Sequence, residues 1–276
     1  MSEDTFGVGP AYQIPDALWL QMVRVLPPPK ARKKEGRPRM DDRQAMTAIL
    51  YVLRTGCPWK ALPRSLGAAS TVHDRFQEWR EARVFARLWQ EGLLLYDELQ
   101  GLEWEWQAMD GAMTKAPLGG GKVGKNPTDR GTLGTKRSVL TDGQGIPLGV
   151  AVDGANRHDM KLVDATLKAM MIKRPEPTAT WPQHVCLDKG YDYDAVRETL
   201  EGWDYTAHIR RRGEERQATR EIPGYRARRW VVERTHSWMN RFRRRLIRWE
   251  KKVDNYLAVL HFACAWITFR AAELFG

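Results

Sequence analysis

The sequence predicts a mixed α/β fold: a five-stranded sheet flanked by helices, preceded by a small all-α unit. Three observations predict it. From Asp41 to about residue 100 the apolar residues recur at helical spacing. At Glu103 the period switches to strand alternation. Beyond that point the pattern reads β-β-β-α-β-α-β-α, three antiparallel strands followed by alternating strands and helices, which makes a mixed sheet with helices on its faces. The chain divides accordingly into an N-terminal segment and basic linker (1–40), a helical unit (41–100) and an α/β domain (101–276).

The elements follow in order. Residues 1–26 hold one amphipathic piece, "DALWLQMVRVL". In "PPPKARKKEGRPRMDD" the prolines block regular structure, and six Lys/Arg from Lys30 to Arg39 make a basic linker or arm. "DDRQAMTAILYVLRTG" opens on an acidic cap and stops at Gly56. "PWKALPRSLG" is a short helix and turn. "AASTVHDRFQEWREARVFARLWQEGLLLYDEL" reads as one long helix, with Ser70-Thr71 as its N-cap and Val72, Phe76 and Trp79 on one face. Helix, short helix, glycine turn and longer helix is the rhythm of a helix-turn-helix. The same rhythm serves a helical packing or dimerisation domain.

"EWEWQAMDGAM" alternates Trp104, Trp106 and Ala108 against polar neighbours and meets Asp110. "KRSVLTD" and "IPLGVAVDG" are two further strands, joined through an Asp-Gly turn. "DMKLVDATLKAMMIK" is helical, "QHVCLD" a strand, "YDAVRETLEG" a helix and "YTAHIR" a strand. From Tyr225 the chain is helical to its last residues.

The balance of charge narrows the partner. Forty-five Lys/Arg against 34 Asp/Glu leave a net +11, which favours a polyanion, nucleic acid before an anionic membrane. Three scattered cysteines, Cys57, Cys186 and Cys264, with no C-x-x-C, argue against a disulfide framework and a thiolate zinc site and suit a reducing cytoplasm. No signal peptide is visible at the first residues, which carry Glu3 and Asp4. "YLAVLHFACAWITF", at 14 residues, falls short of the ~20 that a membrane-spanning helix needs and reads as a core helix.

Two strands end in an acid, Asp110 and Asp188. Sites in open α/β sheets gather outside the carboxyl ends of strands. Side by side, these carboxylates repel unless a cation is present. Oxygen donors without cysteine suit Mg²⁺ or Mn²⁺. Glu233 is the third candidate ligand. It lies in "RRWVVERTHSWMNRFRRRLIRWEKK", where eleven Lys/Arg from Arg226 to Lys252 against Glu233 and Glu250 give +9 of the chain's +11. On a helical wheel Val231, Trp238, Phe242 and Trp249 form an apolar face. Glu233, His236 and Asn240 fall opposite, beside Arg226, Arg229 and Arg244. Alone, Glu233 reads as an ion-pair partner of Arg229.

The segments "GRPRMDDRQAMTAILYVLRTGCPWKALP", "MDGAMTKAPLGG", "NPTDRGTLGTKRSVLTDGQGIPLG", "NRHDM", "LDKGYD" and "RRWVVERTHSWMNRFRRRLIRWE" together resemble the IS-five group of bacterial insertion-sequence transposases, within the DDE class. The resemblance runs from the basic linker to the end of the chain and implies an RNase-H-like catalytic domain. Carried over by position, the catalytic and metal-binding triad is Asp110, Asp188 and Glu233, separated by 78 and 45 positions. The wider class shows Tyr-x2-Arg-x3-Glu-x6-Lys/Arg around its glutamate. This chain matches at Arg229 and Glu233, and has Arg226 at the tyrosine position and Asn240 at the basic one, so no role is carried over for a tyrosine or lysine there. The implied chemistry is two-metal phosphoryl transfer on DNA: cleavage at the element's ends, then attack of the freed 3′-hydroxyl on target DNA. The partners implied are terminal repeats and target DNA, a homodimer on DNA, and no membrane. The implied location is the bacterial cytoplasm, associated with the nucleoid.

Expected phosphate contacts are Lys136, Arg137, Arg229, Arg234, Arg241, Arg243, Arg244 and Arg245, with His236 near the scissile phosphate or the Glu233 carboxylate. Trp230, Trp238 and Trp249 are either stacking platforms for an unpaired base or core. His158 is a structural hydrogen-bonder. Of the competing acids, Asp153 fits a glycine turn, Asp159 a helix N-cap and Asp192 a turn or cap. "GGGKVGKN" nearly matches a P-loop, but Asn126 stands where Ser or Thr is required and no helix can follow Pro127. It is expected as a flexible basic excursion. The rival functions are a non-catalytic DNA-binding regulator and a host nuclease on the same fold.

Overall fold

The computed structural model describes residues 5–29, 38–209, 217, 220–221 and 230–273. Most of the basic linker and Arg229 lie outside them. Four helices come first: α1 (Asp16–Val25), α2 (Asp42–Thr55), α3 (Ala69–Glu81) and α4 (Val84–Leu99). The Asp41 carboxylate caps α2 by accepting the Gln44 N–H at 2.8 Å, and Gly56 ends it in the left-handed conformation that a side chain disfavours. The "PWKALPRSLG" stretch is two 3₁₀ turns, Trp59–Ala61 and Arg64–Leu66. The long helix expected next is two. Arg83 takes a left-handed φ of 55°, which an α-helix cannot propagate, and the chain turns there from α3 into α4. Nor do Ser70 and Thr71 cap it: α3 begins at Ala69, one residue upstream, with no side-chain cap.

The strands are β1 (Trp106–Lys115), β2 (Gly124–Lys125), β3 (Leu133–Thr141), β4 (Pro147–Gly154), β5 (Gln183–Leu187) and β6 (Tyr205–Ile209). Between them lie α5 (Val163–Lys168) and α6 (Asp194–Glu201), and after them α7 (Trp230–Asn240) and α8 (Val253–Ala271). Five strands were expected and six form, because the glycine-rich loop contributes the two-residue β2. Setting β2 aside, the order across the sheet is β4-β3-β1-β5-β6, with β3 antiparallel to its neighbours and β1, β5 and β6 parallel. That arrangement is the RNase-H-like sheet.

The helical unit and the sheet share one core. Buried apolar residues form a single cluster from Val8 in the N-terminal segment to Ala272 after α8. Gly92 of α4 lets Phe269 of α8 approach so closely that a Cβ would sit 2.9 Å from its ring. The Trp89 indole of α4 donates to the Pro147 carbonyl of β4 at 3.0 Å. Helix α8 is the "YLAVLHFACAWITF" segment, buried as expected. Among the described residues no helix is long and apolar enough to cross a membrane.

The glycine-rich loop is docked rather than flexible. Arg248 donates to the carbonyls of Gly121 (2.8 Å) and Lys122 (3.2 Å), and the Gly121 N–H donates to the Lys251 carbonyl at 3.2 Å. Buried donors and acceptors are costly to leave unpaired, so these bonds fix the loop to the segment before α8.

Candidate active site

Strands β1 and β5 run parallel, with Ala108 opposite Cys186. Asp110 and Asp188 each lie two residues beyond that pair. Equal offsets put the two carboxylates level on neighbouring strands, which are about 4.8 Å apart. The expectation that Asp110 closes its strand is corrected: β1 continues to Lys115, paired with β3. The edge exists because β5 stops at Leu187 beside it. The Asp188 carboxylate accepts the Gly190 N–H at 2.8 Å and turns the chain into a short 3₁₀ helix, Lys189–Tyr191. A turn residue and a site residue are here the same residue.

Helix α7 lies across β1 and β3 and brings Glu233 to the same region, on an exposed position. Its placement is fixed at both ends. The Thr235 hydroxyl donates to the Gly145 carbonyl at 2.6 Å, and Arg234 donates to the Gln144 carbonyl, both in the β3–β4 turn. At the other end Arg137 of β3 bridges the Thr114 hydroxyl (2.7 Å) and the Asn240 side-chain carbonyl (3.2 Å). Asn240, which departs from the class pattern, is thus the acceptor that ties α7 to the sheet.

Electrostatics join these acids. The Asp110 carboxyl is pushed up to about 6, first by burial, against one backbone N–H bond from Gly111, and then by the charges of Asp188, Asp159 and Glu233. His236 Nε2 lies 3.6 Å from Asp110 Oδ2, with both ring nitrogens buried. Burial, then the neighbouring Arg137 and Arg245 charges, pull that imidazole down to about 3, so a neutral ring faces Asp110 rather than an imidazolium. Among the described residues no three of His, Cys, Asp and Glu stand as a ready ion cage. Oxygen donors crowded until one resists ionising are nevertheless the donor set that a hard divalent cation satisfies.

Asp159 was read from sequence as a helix cap, and the structure moves it into this cluster. It is the first residue of the 3₁₀ helix Asp159–Leu162, with His158 in the cap position. Its carboxylate pairs with Lys136 Nζ at 2.7 Å and presses on Gly111, where a Cβ would lie 2.1 Å from Oδ1. The glycine after Asp110 is the one sequence signal of that close approach. The Tyr191 phenol is raised by burial and then by Asp159, Asp110 and Asp188, which places it against the same acids. His158 meets Tyr193 edge-on with centroids 5.1 Å apart. Asp153 accepts the Gly154 N–H and pairs with Lys122, and Asp192 pairs with Arg197, as turn residues do.

The expected phosphate contacts separate into two sets. Arg241 and Arg243 are exposed and Arg234 is half-exposed, its guanidinium between the rings of Trp230 (4.6 Å) and Trp238 (4.8 Å). Lys136, Arg137, Arg244 and Arg245, expected at phosphates, are buried, and His236, expected near the scissile phosphate or the Glu233 carboxylate, is buried beside Asp110. For Arg244 and Arg245 the reason is local: α7 ends at Asn240, and the helical wheel drawn through Trp249 does not apply beyond it. A 3₁₀ turn, Arg243–Arg245, carries Arg244 and Arg245 inward and leaves Trp249 39% exposed. Trp230, 51% exposed, also lies outside the core.

Comparison with known proteins bears on this arrangement. Residues 14–89 match the family described as "Putative transposase of IS4/5 family", and residues 107–268 match "Transposase DDE domain". The chain is 36% identical over 159 residues to the "Putative transposase for insertion sequence element IS402" of Burkholderia cepacia, covering 55% of this chain and 72% of that protein. It is 35% identical over 118 residues to an uncharacterized 16.2 kDa protein of insertion element IS402 from the same organism, covering 41% of this chain and 80% of that one. Among solved structures, the catalytic domain of Mos1 mariner transposase aligns over 70% of this chain and 95% of its own at 12% identity, with a TM-score of 0.29. The DDE-domain match alone spans more than half of the 276 residues, and the protein belongs to the bacterial IS4/IS5-type DDE transposases, enzymes that act on DNA.

Proposed function

We propose that this transposase cuts DNA at the ends of its element and joins the freed 3′-hydroxyl to target DNA in one site, with Asp110, Asp188 and Glu233 holding two Mg²⁺ (or Mn²⁺) ions. The observation that carries this reading is the level placement of Asp110 and Asp188 where β5 stops beside β1, with the Glu233 charge felt at Asp110. When bound, the ions supply charge neutralisation at the phosphate and a water or hydroxyl that loses its proton near neutral pH. The protein's own groups do the rest. Asp110 and Asp188 offer oxygens from two adjacent strands, so their spacing is set by the sheet. Glu233 comes from a helix clamped by Thr235 and Arg137, which fixes where its carboxylate can reach. Arg234, Arg241 and Arg243, together with Arg229, hold backbone phosphates through salt-sensitive contacts. Lys136 neutralises Asp159, leaving the three remaining acids for cations.

Two element ends must be held together, so the active form is a homodimer on DNA. The test is magnesium-dependent cleavage and strand transfer on DNA bearing the repeats that flank the gene. Asp188→Ala is expected to lower both by at least ~10³-fold while leaving DNA binding and the thermal transition in place. Cleavage at the wild-type rate by that variant would falsify the catalytic assignment. Cleavage without joining of a pre-cut end would point instead to a nuclease.

A further inference from the structure

We infer that the outer face of α4 is where two copies of this chain meet, α4 against α4 in antiparallel pairing about a two-fold axis near Leu94. This rests on the reading of the active form as a homodimer and adds the surface that makes it. Helix α4 has two unlike sides. The inner side meets α8 through Gly92 and β4 through Trp89. At 100° per residue the opposite side centres on Leu94, with Arg87, Gln90, Glu91, Asp97 and Glu98 within about 60° of it. All six are exposed, Leu94 by 50%. Helix α1 packs beside α4 and buries Leu18, Met22 and Val25, which leaves Leu20 and Val23 exposed on its other side. Leu99 is exposed at the end of α4. Single exposed leucines need no explanation, but several large apolar side chains on two adjoining helices mark a surface for a partner.

The charges identify the partner. Arg87 stands near the start of this face and Glu98 near its end, eleven positions apart with Leu94 between them, or ~16 Å along the axis. Among the described residues neither has an ion pair, and nor does Glu91, although it lies one turn from Arg87. Asp97 is occupied, since its carboxylate accepts the Leu102 N–H at 2.8 Å. A face with a basic end, an apolar middle and an acidic end is complementary to itself. Turned about a two-fold axis, it sets Arg87 of each copy against Glu98 of the other and brings the two Leu94 side chains together. Such an isologous contact closes at two copies. DNA fits the face badly, because its acids outnumber its one arginine and would repel phosphates.

The position leaves the chemistry free. The Leu94 side of α4 is turned away from α8 and from the sheet that carries Asp110 and Asp188. Two copies joined there keep the basic surface of α7 for DNA.

Sedimentation equilibrium of the full chain, alone and with duplex DNA bearing the repeats that flank the gene, tests this. The parent is expected to dimerise as its concentration rises. Leu94→Glu sets two carboxylates together at the axis and should weaken the dimer at least ~10-fold, with the thermal transition of the chain in place. Arg87→Glu and Glu98→Arg each set like charges against one another and should each weaken it roughly fivefold. The double variant Arg87→Glu with Glu98→Arg restores opposite charges and should recover most of that loss, which damage to folding could not do. A parent that is monomeric at every concentration, alone and on DNA, would overturn the inference. So would a dimer indifferent to Leu94→Glu, or a double variant as weak as the two single losses combined. Magnesium-dependent cutting is read separately. A dimer that follows these variants in a protein unable to cut DNA would keep the interface and remove the transposition chemistry. A cutting enzyme whose dimer ignores them would do the reverse.

Discussion

Arg241 and Arg243 differ from Arg244, Arg245 and Arg248 in little that sequence reveals, yet the first pair faces solvent and the other three are buried. The difference comes from a broken helix. On a continuous α7 these residues would spread around one cylinder. With the helix ended at Asn240, the turn that follows sends successive side chains to opposite sides. Each buried member has then met a different fate. Arg244 pairs with Glu250 at 2.7 Å and donates to the Cys57 carbonyl at 3.0 Å, joining this segment to the end of α2. Arg248 donates to the Glu250, Gly121 and Lys122 carbonyls and the Thr135 hydroxyl. The Arg245 guanidinium has no hydrogen-bond partner among the described residues, and burial, then Arg137, pull it down to about 9. A strongly positive stretch is therefore not a measure of DNA-facing charge, because part of it is scaffold.

The comparison breaks most readily at Arg244. Arg244→Ala leaves Glu250 buried without its partner, and stability should fall by about 3–5 kcal/mol, as removal of one member of a buried pair does. Urea denaturation measures this, and a loss below 1 kcal/mol would mean that the segment is held by packing alone. Arg245→Met should act in the opposite direction. It removes a buried cation that nothing satisfies and keeps most of its volume, so the variant should be as stable as the parent or more stable, by up to ~4 kcal/mol. Strong destabilisation by Arg245→Met would show that the guanidinium has a partner in solution, a water or an anion.

A buried carboxylate extends the contrast to the other sign of charge. Asp142 sits wholly inside the β3–β4 turn and accepts the N–H groups of Ile146 (2.7 Å), Gln144 (2.9 Å) and Glu103 (3.2 Å). Burial outweighs those bonds and raises it to about 6. Its folded value thus exceeds its unfolded one, the folded state holds the extra proton between about pH 4 and 6, and the group's contribution to stability falls as pH rises through that window. Asp142→Asn should lose about 1–3 kcal/mol at low pH, because an amide cannot accept all three bonds. The gap between parent and variant should narrow from pH 4 to 7. A gap that widens would mean that the three N–H bonds win over burial.

These residues also mark what sequence could and could not carry. The alternation around Trp104 and Trp106, and the short run before Asp188, place two acids at strand positions. The switch to helical period places Glu233 on a helix. All of that is local periodicity, so it is legible. That Asp110 and Asp188 are level is a property of register between strands 78 residues apart, which only the folded sheet sets. Asp159 illustrates the same limit: its approach to Gly111 depends on β4 delivering the next loop across the face of β1. The break at Arg83 was hidden because Arg is an ordinary helix former and nothing nearby signals a left-handed turn. The burial of Lys136 and Arg137 follows from β3 lying between β1 and β4, where even polar side chains must find partners inside.

The smallest effect on stability belongs to the solvent-facing pair. Arg241→Gln with Arg243→Gln removes two exposed cations, and Arg243 makes no ion pair among the described residues, so folding stability should change by no more than ~0.5 kcal/mol. The cost should appear in DNA binding instead. If each side chain holds one phosphate, the slope of log affinity against log salt should fall by about 0.9 per residue, measured between 50 and 200 mM salt. A double variant that binds DNA with the parent's salt slope would show that exposure alone does not make a contact. The DNA-facing surface would then lie with Arg234 and its tryptophans.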